Sequence, residues 1–212
     1  MERLTIALPK GTLFPPAIQL FQKAGLAPEE LEAGTRKLMI DYPSEGVRFM
    51  ILRASDVPTY VEYGAADLGV VGEDMILEQA KDLYEPLDLK FGRCSLVVAG
   101  PTGVYLPGDQ EEWTRIRVAT KYPRMTERYF SGKGIHAEII KLYGSIELAP
   151  MVGLSEIIVD LSATGRTLKE NHLDVIDTIL ESTARLIINR ASLKLKYARV
   201  HQVIRALKEA IP

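Results

Sequence analysis

Ile157-Ile158-Val159-Asp160-Leu161-Ser162-Ala163-Thr164-Gly165-Arg166-Thr167-Leu168 puts a buried strand, a loop of small and hydroxyl residues and a helix start into one run. A strand feeding directly into a helix is the unit of an α/β fold. Gly165 allows a tight turn and a close backbone approach, and amides at a helix start point at whatever the loop encloses. That combination is an anion cup. The Ser162, Thr164 and Thr167 hydroxyls can donate into it, and Asp160, at the strand end, can accept from sugar hydroxyls. No Gly-Lys-Ser/Thr follows, which argues against an ATP-hydrolysing P-loop. The plainer alternative is a capped connection with no ligand.

The same alternation extends in both directions. Leu4 to Leu8 reads as a buried strand closed by Pro9-Lys10-Gly11. Pro15-Pro16 open a helix with Ile18, Leu20 and Phe21 on its inner side and Gly25 as its stop. Leu38 to Tyr42 and Val47 to Leu52 flank Pro43-Ser44-Glu45-Gly46 as a hairpin. A short helix then carries Val57, Tyr60 and Val61, and Leu68 to Val71 forms another strand before Gly72. A second series follows Cys94: strands at Leu96 to Ala99, Ile116 to Thr120, Ile139-Ile140 and Ile157 to Val159, with a helix from Arg124 to Ser131. After Leu173 the text is strand-like again, clearest at Arg185 to Asn189. The end is an amphipathic helix with Val200, Val203, Ile204, Leu207 and Ile211 in one stripe. Its cations, from Lys194 to Lys208, read as a solvated face.

Two complete α/β series predict two lobes, the second inserted into the first, with the active site in a cleft between them. The expected boundaries are 1–91 with 174–212 for lobe I and 92–173 for lobe II.

Composition narrows the function classes. The 26 Lys+Arg against 28 Asp+Glu leave a net charge of −2, without the basic excess that nucleic-acid and membrane-surface binders need. Apolar runs fall far short of the roughly 18 residues of a membrane span. No signal peptide is visible at the N-terminus, so a cytoplasmic protein is expected. One cysteine and three histidines on separate elements give no metal-ligand cluster. Cys94 reads as a small core residue and Trp113 as a packing anchor.

Cations also follow strands, at Lys10-Gly11 and at Arg53-Ala54-Ser55-Asp56-Val57-Pro58, where open α/β sheets bind ligands. Gly144-Ser145 leads into a short helix with Glu147 near its positive end.

These stretches, in this order, resemble the block motifs of the ATP phosphoribosyltransferase family: Leu8 to Gly11, Arg53 to Val61, Gly64 to Gly69, Ala119 to Pro123, Gly144 to Pro150 and Val159 to Leu168. The resemblance runs across nearly the whole chain. It implies a two-lobed fold like that of the type II periplasmic binding proteins, and the Mg²⁺-dependent condensation of ATP with phosphoribosyl pyrophosphate. The products are N1-(5-phosphoribosyl)-ATP and pyrophosphate, the first step of histidine biosynthesis.

By the same resemblance, Ser162, Ala163, Thr164, Gly165, Arg166 and Thr167 hold the donor's 5′-phosphate, and Glu147 and Asp160 its ribose hydroxyls. Lys10, Arg36 and Arg53 are the catalytic cations. Lys10, Gly11, Asp67 and Gly72 take the ATP. The metal is carried by substrate rather than by protein side chains. The chain looks like the short form, which works as a homodimer in a hetero-oligomer with a regulatory subunit related to histidyl-tRNA synthetase. One departure is Thr12, where the family usually has arginine. Attack by adenine N1 on an anomeric carbon needs no protein nucleophile, so the lack of a Ser/His/Asp set is no obstacle. A non-enzymatic small-molecule binding protein of the same fold is the alternative.

Overall fold

The computed structural model describes residues 3–27, 37–104 and 116–212. Trp113 and Arg36 lie outside them. The chain divides into unit 1, Met1–Gly92 with Thr183–Pro212, and unit 2, Arg93–Ser182.

Unit 1 begins with β1 (Leu4–Pro9), α1 (Phe14–Lys23), the hairpin β2 (Met39–Tyr42) and β3 (Val47–Leu52), α2 (Val57–Glu62), β4 (Leu68–Gly72), α3 (Glu73–Gln79) and β5 (Tyr84–Asp88). Unit 2 holds β6 (Cys94–Pro101), β7 (Ile116–Thr120), α4 (Pro123–Gly132), β8 (Ala137–Lys141), α5 (Leu148–Met151), β9 (Ile157–Ser162), α6 (Arg166–Glu170) and β10 (Leu173–Ser182). Unit 1 resumes with β11 (Ala184–Ile188), α7 (Arg190–Leu195) and α8 (Tyr197–Ala210).

The sheet of unit 1 runs β2-β3-β1-β4-β11-β5. β3, β1 and β4 are parallel, while β2, β11 and β5 join antiparallel at the flanks. Continuous apolar text makes β1 and β4 buried on both faces, as expected of central parallel strands. α1 starts on Pro15-Pro16 as predicted and turns Ala17, Ile18, Leu20 and Phe21 inward. α8 lays Val200, Val203 and Leu207 into the same core as Phe21 and Phe49. The end of that helix is tied back to α1 by Lys23 Nζ donating to Ala210 O at 2.8 Å.

The sheet of unit 2 runs β10-β6-β9-β7-β8. β8, β7 and β9 are parallel, and β6 and β10 complete the sheet antiparallel. The return to unit 1 therefore falls later than the sequence suggested. Leu173–Ser182 pairs along its length with β6, Ser182 opposite Cys94, so this strand closes the second sheet and does not begin the way back. Cys94 itself is half-buried at the start of β6.

Two cations of the C-terminal helical segment are not solvated as predicted. Lys196 pairs with a buried carboxylate, and Arg199 is buried, donating to Gln202 Oε1 and to the Glu45 carbonyl of the β2–β3 turn.

Candidate active site

In unit 2 the carboxyl ends of the parallel strands carry the loops that the sequence singled out. β9 delivers Asp160 and Ser162, and Gly165 follows with φ +73°, the left-handed backbone that glycine adopts without cost. Ser162 Oγ accepts from Gly165 N–H at 3.0 Å and holds the loop in its curl. Thr164 Oγ1 lies 3.4 Å from Arg166 N. The N–H groups of Ala163, Thr164 and Thr167 have no partner among the described residues, and a Cβ built on Gly165 would meet nothing within 4 Å. The result is a turn with unpaired amides and open space at Gly165, which suits an anion.

Asp160 lies on β9, two residues before Ser162. Burial pushes its carboxyl up to about 6, and the nearby Glu147 charge adds to the rise; the Leu161 amide, which donates to Asp160 Oδ1 at 2.8 Å, and the ammonium of Lys121 act the other way. Glu147 is half-buried at the N-cap of α5. The structure thus brings Asp160 and Glu147 to one end of the sheet with the 162–167 loop. The Arg166 side chain is directed elsewhere, its Nε 2.7 Å from Glu170 Oε1 one turn along its own helix.

Sequence reasoning assigned no role to Thr120 or Lys121. Thr120 is fully buried. Its hydroxyl donates to Val159 O at 2.7 Å and accepts from Tyr122 N–H at 2.9 Å. Threonine in a strand reads simply as a β-former. The signals for a further role were its place at the end of a parallel strand and its membership of the Ala119 to Pro123 block.

In unit 1, Pro9 pairs with Leu52 in the parallel β1–β3 ladder. Lys10 and Arg53 therefore follow the carboxyl ends of adjacent strands, where Lys10 N–H donates to Leu52 O at 2.7 Å. Both side chains are exposed, and neither makes a hydrogen bond or ion pair among the described residues. Gly11 has φ +92° and open space where a Cβ would stand. Gly72 ends β4, the next strand of the same sheet, and a Cβ there would sit 2.1 Å from Asp74 Oδ1. Thus Lys10, Gly11, Arg53 and Gly72 share one end of the sheet.

Asp67 does not join them. It precedes β4, at the opposite end of the sheet, and is 5% exposed. Its Oδ2 accepts from Thr5 N–H at 2.8 Å and from Lys196 Nζ at 2.9 Å, and its Oδ1 from Ser192 Oγ at 2.6 Å. A carboxylate so committed binds β1 and β4 to the C-terminal helices and stands apart from Lys10, Gly11 and Gly72, with which it was expected to take ATP.

Comparison with known proteins identifies the family. The family model described as HisG: ATP phosphoribosyltransferase matches residues 53–209. The chain belongs to the ATP phosphoribosyltransferase family. It is 57% identical over 210 residues to "ATP phosphoribosyltransferase 2" of Geobacter sulfurreducens, covering 99% of each chain. It is 54% identical over 211 residues to the ATP phosphoribosyltransferase of Caldanaerobacter subterraneus, covering 100% of this chain and 99% of that one. Among solved structures it resembles the ATP phosphoribosyl transferase (HisG:HisZ) complex from Thermotoga maritima, with TM-score 0.84, 36% identity and 98% of each chain covered. The alkanesulfonate-binding protein SsuA of Xanthomonas axonopodis aligns at TM-score 0.60 and 14% identity over 99% of this chain and 73% of that one, a likeness of fold alone.

The chain is therefore an enzyme, an ATP phosphoribosyltransferase of the first step of histidine biosynthesis, and its length fits the short form of the family. The comparisons give no support to a non-enzymatic binding role. No helix among the described residues is long and apolar enough to cross a membrane.

Proposed function

We propose that the 162–167 loop grips the 5′-phosphate of phosphoribosyl pyrophosphate while Asp160 and Glu147 accept from the ribose hydroxyls. The observation that carries this reading is the turn of unpaired amides around Gly165, held by Ser162, immediately after the strand that bears Asp160. Lys10 and Arg53 face the polyphosphates, and Gly11 and Gly72 let backbone approach the ATP. Lys10 and Arg53 also make up for the charge that the family's usual arginine would bring at Thr12.

The nucleophile is adenine N1, which carries its own lone pair. Its attack forms the N1–C1′ bond as the C1′–O bond to pyrophosphate breaks, and the leaving group departs with the electron pair. The protein's part is to align two anionic substrates and to stabilise charge on the departing oxygens. The neighbouring carboxylates of Asp160 and Glu147 would suit a Mg²⁺ ion that enters on the donor's diphosphate, since Mg²⁺ takes one or two carboxylates plus phosphate oxygens. When bound, that ion supplies further positive charge to the leaving group.

The similarity to the HisG:HisZ complex supports a regulatory partner related to histidyl-tRNA synthetase, with a homodimer of this chain inside the assembly and the cytoplasm as its compartment. The test is pyrophosphate release from ATP and the donor by wild type, Asp160→Ala and Gly165→Val. A large rise in the donor KM with ATP binding intact is expected. A donor KM unchanged in both variants overturns the loop assignment.

A further inference from the structure

Thr120 is the last residue of β7 and is paired on both sides, opposite Val159 in the β7–β9 ladder and opposite Lys141 in the β7–β8 ladder. Just beyond it, the two neighbouring strands lead into the segments that carry the carboxylates. Asp160 follows Val159 directly, and Leu142 opens the loop that reaches Glu147. Thr120 bonds to both. Its hydroxyl donates to Val159 O at 2.7 Å, and its carbonyl accepts from Leu142 N–H at 2.9 Å.

The hydroxyl is itself held in place. It accepts from Tyr122 N–H at 2.9 Å, and Thr126 Oγ1 on α4 lies 3.3 Å from it while donating to Tyr122 O at 2.7 Å. Both threonines are fully buried. A buried hydroxyl costs free energy unless it is bonded, and packing alone does not call for one here. Val118, on the same face of β7, is equally buried as a plain valine. The far end of the Glu147 loop is fixed as well, because Ile146 is buried in one cluster with Ala119 and Ile158. The residue before Asp160 and the loop before Glu147 are thus both anchored on the end of β7.

We propose that Thr120 is a positioning residue of the phosphoribosyl site: its hydroxyl fixes the strand end that bears Asp160 at the spacing from Glu147 that the ribose hydroxyls require. The inference rests on the donor reading of Asp160 and Glu147 and goes beyond it. Hydrogen bonds weaken steeply when misaligned. Two acceptors on separate elements therefore engage one sugar together only if their separation is held. Being fully buried, the Thr120 hydroxyl acts through the Val159 carbonyl and not by touching the sugar.

The experiment is a double-mutant cycle on the full-length chain. Donor KM, ATP KM and kcat are measured, well below each Tm, for wild type, Thr120→Val, Thr120→Ser, Asp160→Asn and the Thr120→Val, Asp160→Asn double variant. Thr120→Val should raise the donor KM about 10-fold in the wild-type background and less than about 3-fold in Asp160→Asn. Its ATP KM and kcat should stay within about 2-fold of wild type, and Thr120→Ser should restore most of the donor KM. A hydroxyl that only supports the fold would lower Tm and leave the donor KM alone. That outcome overturns the inference, as does an equal rise in both backgrounds. Should Thr120→Val not fold, Thr126→Val, which loosens the same hydroxyl without removing it, takes its place in the cycle. A rise of about 3-fold is then expected, and the same two outcomes overturn the inference. A donor KM indifferent to Asp160→Asn instead overturns the donor reading on which it rests.

Discussion

Lys196 Nζ lies 2.9 Å from Asp67 Oδ2, linking the junction of α7 and α8 to the amino-terminal end of β4 across a long stretch of sequence. With Thr5 N–H and Ser192 Oγ on the same carboxylate, Asp67 is a buried crosslink of unit 1. Removing one partner of such a pair leaves an uncompensated charge. Lys196→Met should therefore lower stability by about 2 to 3 kcal/mol, and Asp67→Asn by a similar amount. Urea unfolding measures both. The ATP KM of whatever folded Asp67→Asn remains should match wild type; a selective loss of ATP binding would restore the nucleotide role.

Asp160 is costly to the fold at neutral pH. Its folded carboxyl titrates near 6 against about 4 in an unfolded chain. Between those values the folded state binds more protons than the unfolded state, so this group's contribution to stability falls as pH rises through the window and remains unfavourable above it. Asp160→Asn should consequently stabilise the protein by about 2 to 3 kcal/mol at pH 8 and much less at pH 4, while raising the donor KM. Thermal unfolding at the two pH values is the check. Equal Tm shifts at both would contradict the burial argument.

Donor affinity should weaken on acidification, with a midpoint near 6, as Asp160 takes up a proton. A pH profile of kcat/KM for the donor, run at saturating ATP, reads this directly. Flat behaviour from pH 5.5 to 7.5 would exclude Asp160 from the donor site.

The exposed pair Lys10 and Arg53 should matter to rate and little to folding. Each replaced by alanine should cut kcat/KM by about 10- to 100-fold, with circular dichroism and Tm near wild type, because neither side chain holds another residue. Ionic strength should depress the wild-type rate more than that of the double variant. Unaltered turnover in both single variants would move the polyphosphate site away from these strand ends.

Thr120→Val keeps the shape of the side chain but strands the Tyr122 amide and the Val159 carbonyl. A buried group left without its partner costs about 1 to 3 kcal/mol. We expect that loss in chemical denaturation, together with a raised donor KM, and Thr120→Ser should recover most of it.

Much of this was legible in the sequence because the responsible forces act locally. β1, β4 and the Ile157–Val159 start of β9 are continuous apolar runs, which only a buried strand explains at that length, and Pro15-Pro16 fixes the start of α1. The Gly165 turn was equally readable, since its backbone sign follows from the residue type. The resemblance gave no sign that Asp67 is occupied within the fold; Ser192 and Lys196, which bind it, are 125 and 129 residues away. The end of unit 2 was placed early for a similar reason. Leu173–Ser182 and Ala184–Ile188 are both strand-like, and the choice of sheet rests on the pairing of β10 with β6, which no local pattern reveals.

The Ser182–Cys94 pair that closes the β10–β6 ladder also leaves the two ends of unit 2 side by side. A segment whose entrance and exit are adjacent can be excised as a cassette, or exchanged for that of a relative, without stretching the chain that remains. Arg93 and Glu181, bonded to one another at this doorway, mark where the splice points of such a chimera belong.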